Sequence, residues 1–291
     1  MFFEPLAQSD GVGTKPANVG DMENKGIEVE ISGDIIVNDD FQWSLAINGT
    51  HYKNELTRLP EEFIDDGLFR LQQGKSRYDY FMREWAGVDP SNGDGLWFTD
   101  VLDTNGEPTG EREITNDRVN ATENFVGKSA IPDVYGGLST NLSYKNFSLG
   151  VAFAYQIGGY GYDGVYQNLL GTTSAGDNFH NDVFNSWTPE NRTALIPRLD
   201  INDINQAGTS SFFLVDASYL NLQNVTLSYN FDGKLLDKLR ITGLKIYATG
   251  NNLHLWSKAR QGYDPRLSIT GNAVNEFGLA RTTSLGLTVN F

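Results

Sequence analysis

Cysteine is absent from the 291 residues, which removes disulfides, thiolate metal sites and cysteine nucleophiles together. No stretch approaches the roughly 18 consecutive apolar residues that a membrane-spanning helix needs, so a helical membrane protein is excluded. Strands of alternating polarity average out to moderate hydropathy and are not excluded by the same test. Basic residues are few beside acidic ones, 22 against 37, for a net charge of −15. Phosphate backbones would be repelled, which argues against a nucleic-acid partner. Histidine is nearly missing as well: His51, His180 and His254 lie far apart, with no metal-ligand spacing among them. The first ten residues have neither a basic region nor an apolar stretch of signal-peptide length. The expectation is a chain that follows a removed signal or starts inside a longer protein.

What is plentiful is glycine, at 31 residues, and aromatics, at 12%. Both suit tight strand packing, turns and interfacial girdles. The strand pattern is plainest at the end. In Thr283 to Phe291, Leu285, Leu287, Val289 and Phe291 alternate with Ser284, Gly286, Thr288 and Asn290, which puts one set on each face of a β-strand. In water such an ending leaves a sticky edge at the terminus. In an outer-membrane barrel the apolar face meets lipid and the final aromatic sits in the interfacial girdle. These four residues are expected to form the terminal barrel strand and its assembly signal.

Other runs read the same way. Ile27, Val29, Ile31, Ile35 and Val37 share one face and Glu28, Glu30, Ser32 and Asp34 the other; Asn38-Asp39-Asp40 is a turn, and Phe41 to Tyr52 alternates again. About 75 residues without sustained alternation follow. Alternation resumes at Pro132, runs to Tyr144, turns at Lys145-Asn146 and continues from Phe147 to Ile157. Further strands are expected over Ser218 to Phe231, Leu244 to Trp256 and Arg281 to Phe291. Leu220 and Leu222 break parity with Val225 and Leu227, so a β-bulge or a buried rim belongs there; the facing of the Leu244 strand stays open. Connections alternate short (38–40, 145–146), moderate (232–241) and long. Short turns fall on one side and long loops on the other, as periplasmic turns and extracellular loops do in outer-membrane barrels.

The segment Asn18-Val19-Gly20-Asp21-Met22-Glu23-Asn24-Lys25-Gly26-Ile27-Glu28 resembles a block of the SusC/RagA-type TonB-linked outer-membrane transporters of Bacteroidetes. Gly87-Val88-Asp89-Pro90, Ala130-Ile131-Pro132-Asp133 with Gly136-Gly137, Tyr219 to Phe231, Ile246 to Leu253, Gly262-Tyr263-Asp264-Pro265 and the terminal strand follow in the family's order. The resemblance implies an all-β, antiparallel transmembrane barrel of 22 strands. Seven strands are present here, with an eighth remnant at Phe2 to Leu6, and nothing resembles the plug or the TonB-contacting segment. Residues 1–291 are therefore expected to be a partial barrel domain, the carboxy-terminal segment, and a fragment not competent alone. The implied function is outer-membrane uptake of oligosaccharides or peptides, with partners in membrane lipid, a SusD-like surface lipoprotein and, through the missing amino-terminal region, the TonB complex. No enzymatic activity and no cofactor are implied.

Within the loops, Trp85, Trp97 and Trp187 are the candidate ligand contacts, because they offer flat apolar faces to sugar rings; the plainer reading is packing within the loops or against the lipoprotein. Asp89 to Gly95 and Asp103 to Glu107 are oxygen-rich but miss the calcium-loop pattern and read as turns. Glu28, Glu30 and Asp34 read as solvated residues inside a barrel rather than an acid pair for glycoside hydrolysis. The rival architecture is a secreted β-sandwich, a carbohydrate-binding or adhesin-like module with the same apolar faces turned into a core.

Overall fold

The computed structural model describes residues 20–171, 178–200, 208–259, 262–267 and 277–291, short pieces at 2–5, 13–17 and 272–273, and residues 9, 11 and 176. Seven strands form one antiparallel sheet in chain order: β1 (Asp21–Val37), β2 (Phe41–Arg58), β3 (Val134–Tyr144), β4 (Phe147–Ile157), β5 (Tyr219–Asn230), β6 (Gly243–Ser257) and β7 (Thr282–Asn290). Phe2–Pro5 pairs with Thr14–Ala17 and not with this sheet; Leu6, the end of the expected remnant, lies outside the described residues.

Cross-strand partners share a face, so the register sorts the side chains into columns. Ile31, Ile47, Leu138 and Phe153 line up across four strands. Leu142, Leu149, Leu227, Ala248 and Leu285 line up across five. The opposite face carries small and polar columns such as Ser32, Ala46, Ser139, Ala152, Asn224, Asn251 and Thr282. There the Asn224 amide donates to Asn251 Oδ1 at 2.8 Å, and the Asn251 amide to Thr282 Oγ1 at 3.2 Å.

The apolar face is bare. Ile27 is 69% exposed, Leu285 80% and Phe291 93%, and no second sheet covers it among the described residues. A sandwich would bury these residues, whereas a lipid-facing barrel wall leaves them outermost. Even the one polar atom on the Trp43 ring is satisfied locally, since Nε1–H donates to Thr140 Oγ1 at 2.8 Å. An unpaired donor in hydrocarbon would be costly.

Two bulges decide the facings that parity leaves open. The β5 register slips between Leu222 and Asn224, leaving Gln223 out of the ladder, while β6 spends two residues, Asn252 and Leu253, on the same interval. Asn252 is left-handed at φ 52. Leu220 and Leu222 thereby join the apolar face with Val225 and Leu227, and β6 places Leu244 and Ile246 on it, with Tyr247 and Leu255 opposite. The second bulge corrects the reading of β1. Asp34 pairs with Ser44 but Ile36 with Trp43, so Ile35 is the extra residue and Val37 pairs with Gln42. Val37 therefore sits in a polar-face register, not with Ile27 and Val29.

The short connections are as expected at Asn38–Asp40, where Asn38 Oδ1 accepts the Phe41 amide at 2.7 Å, and at Lys145–Asn146, with Lys145 at φ 51. The connection after β5 is more than a turn, because it holds a helix, Gly233–Leu239.

The long loops also depart from expectation. The stretch after β2, read as lacking strands, contains seven short ones from Phe63–Asp66 to Glu123–Ser129, in two small sheets. Their runs of four to eight residues are too brief to show periodicity. With α1 (Gly164–Leu170) and segments near Phe213 they enclose the molecule's buried core, built on Tyr80, Met82, Tyr162, Tyr166, Leu170 and Phe213. Burial pushes the Tyr162 hydroxyl up to about 12. Asp163 caps α1 by accepting the Tyr166 amide at 2.9 Å. β1 and β2, at 17 and 18 residues, outrun the roughly 9–11 residues that cross a bilayer, and their far ends join this layer: Asn54 Oδ1 accepts the Arg77 amide at 2.8 Å.

Candidate functional site

Where the loop layer folds over the polar face it encloses a cavity of about 390 Å³. Tyr52 ends the bilayer-length part of β2, Tyr135 and Tyr219 lie at the loop-side ends of β3 and β5, and all three are in polar-face register. Tyr78, Tyr160 and Tyr263 enter from the loops, and Gln156 and Arg266 add polar groups. Tyr52 and Tyr135 meet edge to face, with ring centroids 6.3 Å apart. Such a wall offers flat apolar surface and phenolic hydroxyls side by side, a combination suited to ligands that are part apolar and part hydrogen-bonding.

Its floor is fixed by an ion pair. Arg266 donates from Nε to Asp264 Oδ1 at 2.8 Å and from Nη2 to Oδ2 at 2.6 Å, while Nη1 donates to Asn221 Oδ1 on β5 at 2.9 Å. The Leu279 amide adds a bond to Asp264 Oδ2 at 3.3 Å. Burial, the largest single influence, pulls the Asp264 carboxyl upward. The hydrogen bonds from Arg266 and from the Arg266 and Leu279 amides together outweigh it and hold the group below the usual carboxylate range. The pair ties loop 262–267 to the barrel wall.

The three tryptophans lie elsewhere, around the turn at Gly93–Gly95. Trp97 is 1% exposed and packs edge to face on Trp85 at 5.4 Å; its Nε1–H finds no acceptor among the described residues. Trp85 also meets Phe212, at 5.0 Å. Trp187 lies against Gly93, where a side chain would collide with its ring, and its Nε1–H donates to the Pro90 carbonyl at 3.3 Å. None of the three lines the tyrosine cavity. Asp89 and Asp103 act as turn residues: Asp89 Oδ1 accepts the Ser91 amide at 2.8 Å, and Asp103 Oδ1 accepts the Asn105 and Glu107 amides at 2.8 and 2.9 Å.

No family model matches the chain. The chain is 29% identical over 301 residues to the TonB-dependent receptor P3 of Formosa agariphila, covering 99% of itself and 29% of that protein. To the TonB-dependent receptor SusC of Bacteroides thetaiotaomicron it is 28% identical over 280 residues, covering 94% of itself and 27% of SusC. Among solved structures, the RagAB peptide transporter superposes with a TM-score of 0.81 at 25% identity, over 99% of this chain and 31% of that one. The chain is SusC/RagA-like.

Its all-β, antiparallel sheet matches part of a TonB-dependent receptor barrel, a fold set in the outer membrane. The relatives are receptors and transporters rather than enzymes. This SusC/RagA-like chain spans less than a third of the length of each relative named above. The tryptophans stand out in the sequence, whereas the cavity is built from tyrosines. One signal was available: Tyr52, Tyr135 and Tyr219 all stand on the polar parity near strand ends, where a lumen-facing wall meets the loops.

Proposed function

We propose that residues 1–291 act as one partial barrel domain, the carboxy-terminal part of a TonB-dependent importer that takes up oligosaccharides or peptides. The observation that carries this reading is the two-faced sheet. Its bare apolar face fits lipid, and its polar face leads up to a tyrosine-lined cavity roofed by packed loops. The SusC and RagAB likenesses support it. The ligand rests in the tyrosine cavity on its way through the lumen. Trp85 and Trp187, part-exposed at the turn above, are outer ligand contacts, and buried Trp97 backs Trp85. A SusD-like surface lipoprotein docks on the loop layer, where Phe184 and Leu195 stand bare at 91% and 81% exposure. The TonB complex engages through sequence outside residues 1–291.

Uptake in the host tests the reading. Cells carrying the intact gene are expected to accumulate a labelled oligosaccharide or peptide from a mixed pool. Cells lacking it, or treated to collapse the proton gradient, are expected not to. Equal accumulation with and without the gene, for every component of the pool, refutes the proposal.

A further inference from the structure

Among the described residues the cavity is lined by a single cation, Arg266, and by no carboxylate. A guanidinium in a ligand cavity is ordinarily the group that captures carboxylates or sulfates, because its planar fork matches them with two parallel hydrogen bonds. Here the fork is already filled. Asp264 takes both parallel bonds, Asn221 takes the third nitrogen, and the Arg266 and Asp264 side chains are each only 10% exposed. Asp264 does not itself line the cavity, so it cancels the charge without offering a carboxylate to the ligand. Lys128 lies 4.7 Å over the Tyr160 ring and is not part of the lining. The remaining surface is phenolic, amide, proline and small apolar groups.

The backbone adds a second constraint. Tyr135, Gln156 and Tyr219 each belong to strands paired on both sides at those positions. An extended peptide entering along them meets no open strand edge to pair with, and its terminal charges meet no free counter-ion among the described lining residues. A sugar ring needs neither. Its C–H faces lie on the aromatic rings, and its hydroxyls reach phenol and amide groups that both donate and accept.

We propose that the tyrosine cavity holds an uncharged sugar segment, and that Asp264 sets this preference by neutralising Arg266. The inference rests on the uptake reading above and narrows it to one ligand class.

The test uses the intact outer-membrane protein carrying this chain, purified in detergent and exposed to three size-matched pools: neutral oligosaccharides, uronic-acid oligosaccharides and short peptides. Retained species are identified by mass spectrometry and their affinities measured by titration. The wild type is expected to retain neutral sugars and to bind uronates at least about tenfold more weakly, a single charge-assisted contact being worth about that much. Asp264→Asn frees the guanidinium and is expected to raise uronate affinity about tenfold or more. Because Asp264 also anchors the Leu279 amide, Gln156→Lys serves as a second variant that adds a cation to the lining, beside the Gly158 and Ala217 carbonyls to which Gln156 now donates, and leaves the ion pair alone; the same gain is expected. Uronate binding by the wild type equal to neutral-sugar binding overturns the proposal, as does the absence of any gain in both variants. Retention of peptides alone overturns it too, yet leaves the uptake reading standing. Retention of nothing from any pool removes both.

Discussion

Tyr263 fills the space where a side chain at Gly161 would begin. Tyr263 is 6% exposed and stands one residue before Asp264, so the seat of this ring and the ion pair below the cavity are one construction. A methyl group at residue 161 must displace the ring. Gly161→Ala is expected to destabilise loop 262–267 by about 1–3 kcal/mol, the usual range for overpacking. Limited proteolysis of the loop, faster in the variant with the sheet intact, is the check; unchanged cleavage rates would contradict the placement of Tyr263.

The Trp43–Thr140 bond makes a separate prediction for the lipid face. Thr140→Val keeps the shape of the side chain and removes the acceptor, leaving an indole N–H unpaired in hydrocarbon. The loss is expected to be about 1 kcal/mol, since hydrogen bonds within membranes measure modestly even when partners are scarce. Urea unfolding of the bilayer-reconstituted protein, followed by Trp43 emission, reads it. A midpoint unchanged from wild type would show that the bond contributes nothing there.

Neighbouring residues on β4 separate the two faces most directly. Val151 aligns with Val225 on the apolar face and Ala152 with Asn224 on the polar one. Val151→Arg is expected to cost about 2–4 kcal/mol if the position lies near the bilayer midplane. Ala152→Arg, one residue on, points at the water-filled side and is expected to cost far less. Folding yields into vesicles that ranked the two the other way would reverse the assignment of faces.

Asp264 carries a pH dependence whose direction follows from its lowered folded value. A carboxylate depressed on folding contributes stability above its unfolded value of 3.8 and loses it as the pH falls through the folded value. Hydrogen exchange at the Leu279 amide, corrected for the intrinsic rate, is therefore expected to stay level from about pH 8 to about pH 5 and to accelerate only under more acid conditions. Acceleration already near neutral pH would mean that the carboxylate is not held by Arg266.

Much of the sheet was legible in the sequence because a wall between lipid and water enforces period two over long stretches. The expected strand Phe147 to Ile157 has those same bounds in the sheet, and of the bulge or buried rim that the parity break at Leu220 and Leu222 allows, the register shows the bulge. Ile35 shows the limit. Three aliphatic residues in a row, Ile35 to Val37, carry no parity of their own, so only the register with Trp43 and Gln42 reveals which one is extra. The loop layer was illegible for a different reason. Its strands are short, twisted into separate small sheets, and stabilised by contacts between residues far apart, such as the Tyr80 hydroxyl and the Tyr160 carbonyl at 3.0 Å. The tyrosine cavity shared that fate, since it forms only when 262–267 returns to β5.

The division between a bare sheet and a buried loop layer sets two different rules for sequence drift. At outward positions such as Val151 or Leu227 the neighbours are fluid hydrocarbon chains, which refit around whatever they meet. Size and branching are then nearly free to vary, provided polarity does not. At Phe213 or Tyr80, both wholly enclosed, the neighbours are fixed side chains, and a lost methylene leaves a hole that nothing refills. Exchanging Val151 for Leu or Phe should pass unnoticed where Phe213→Leu does not. The same chain is thus tolerant of shape along its bare apolar face and exacting about shape where its loops pack on one another.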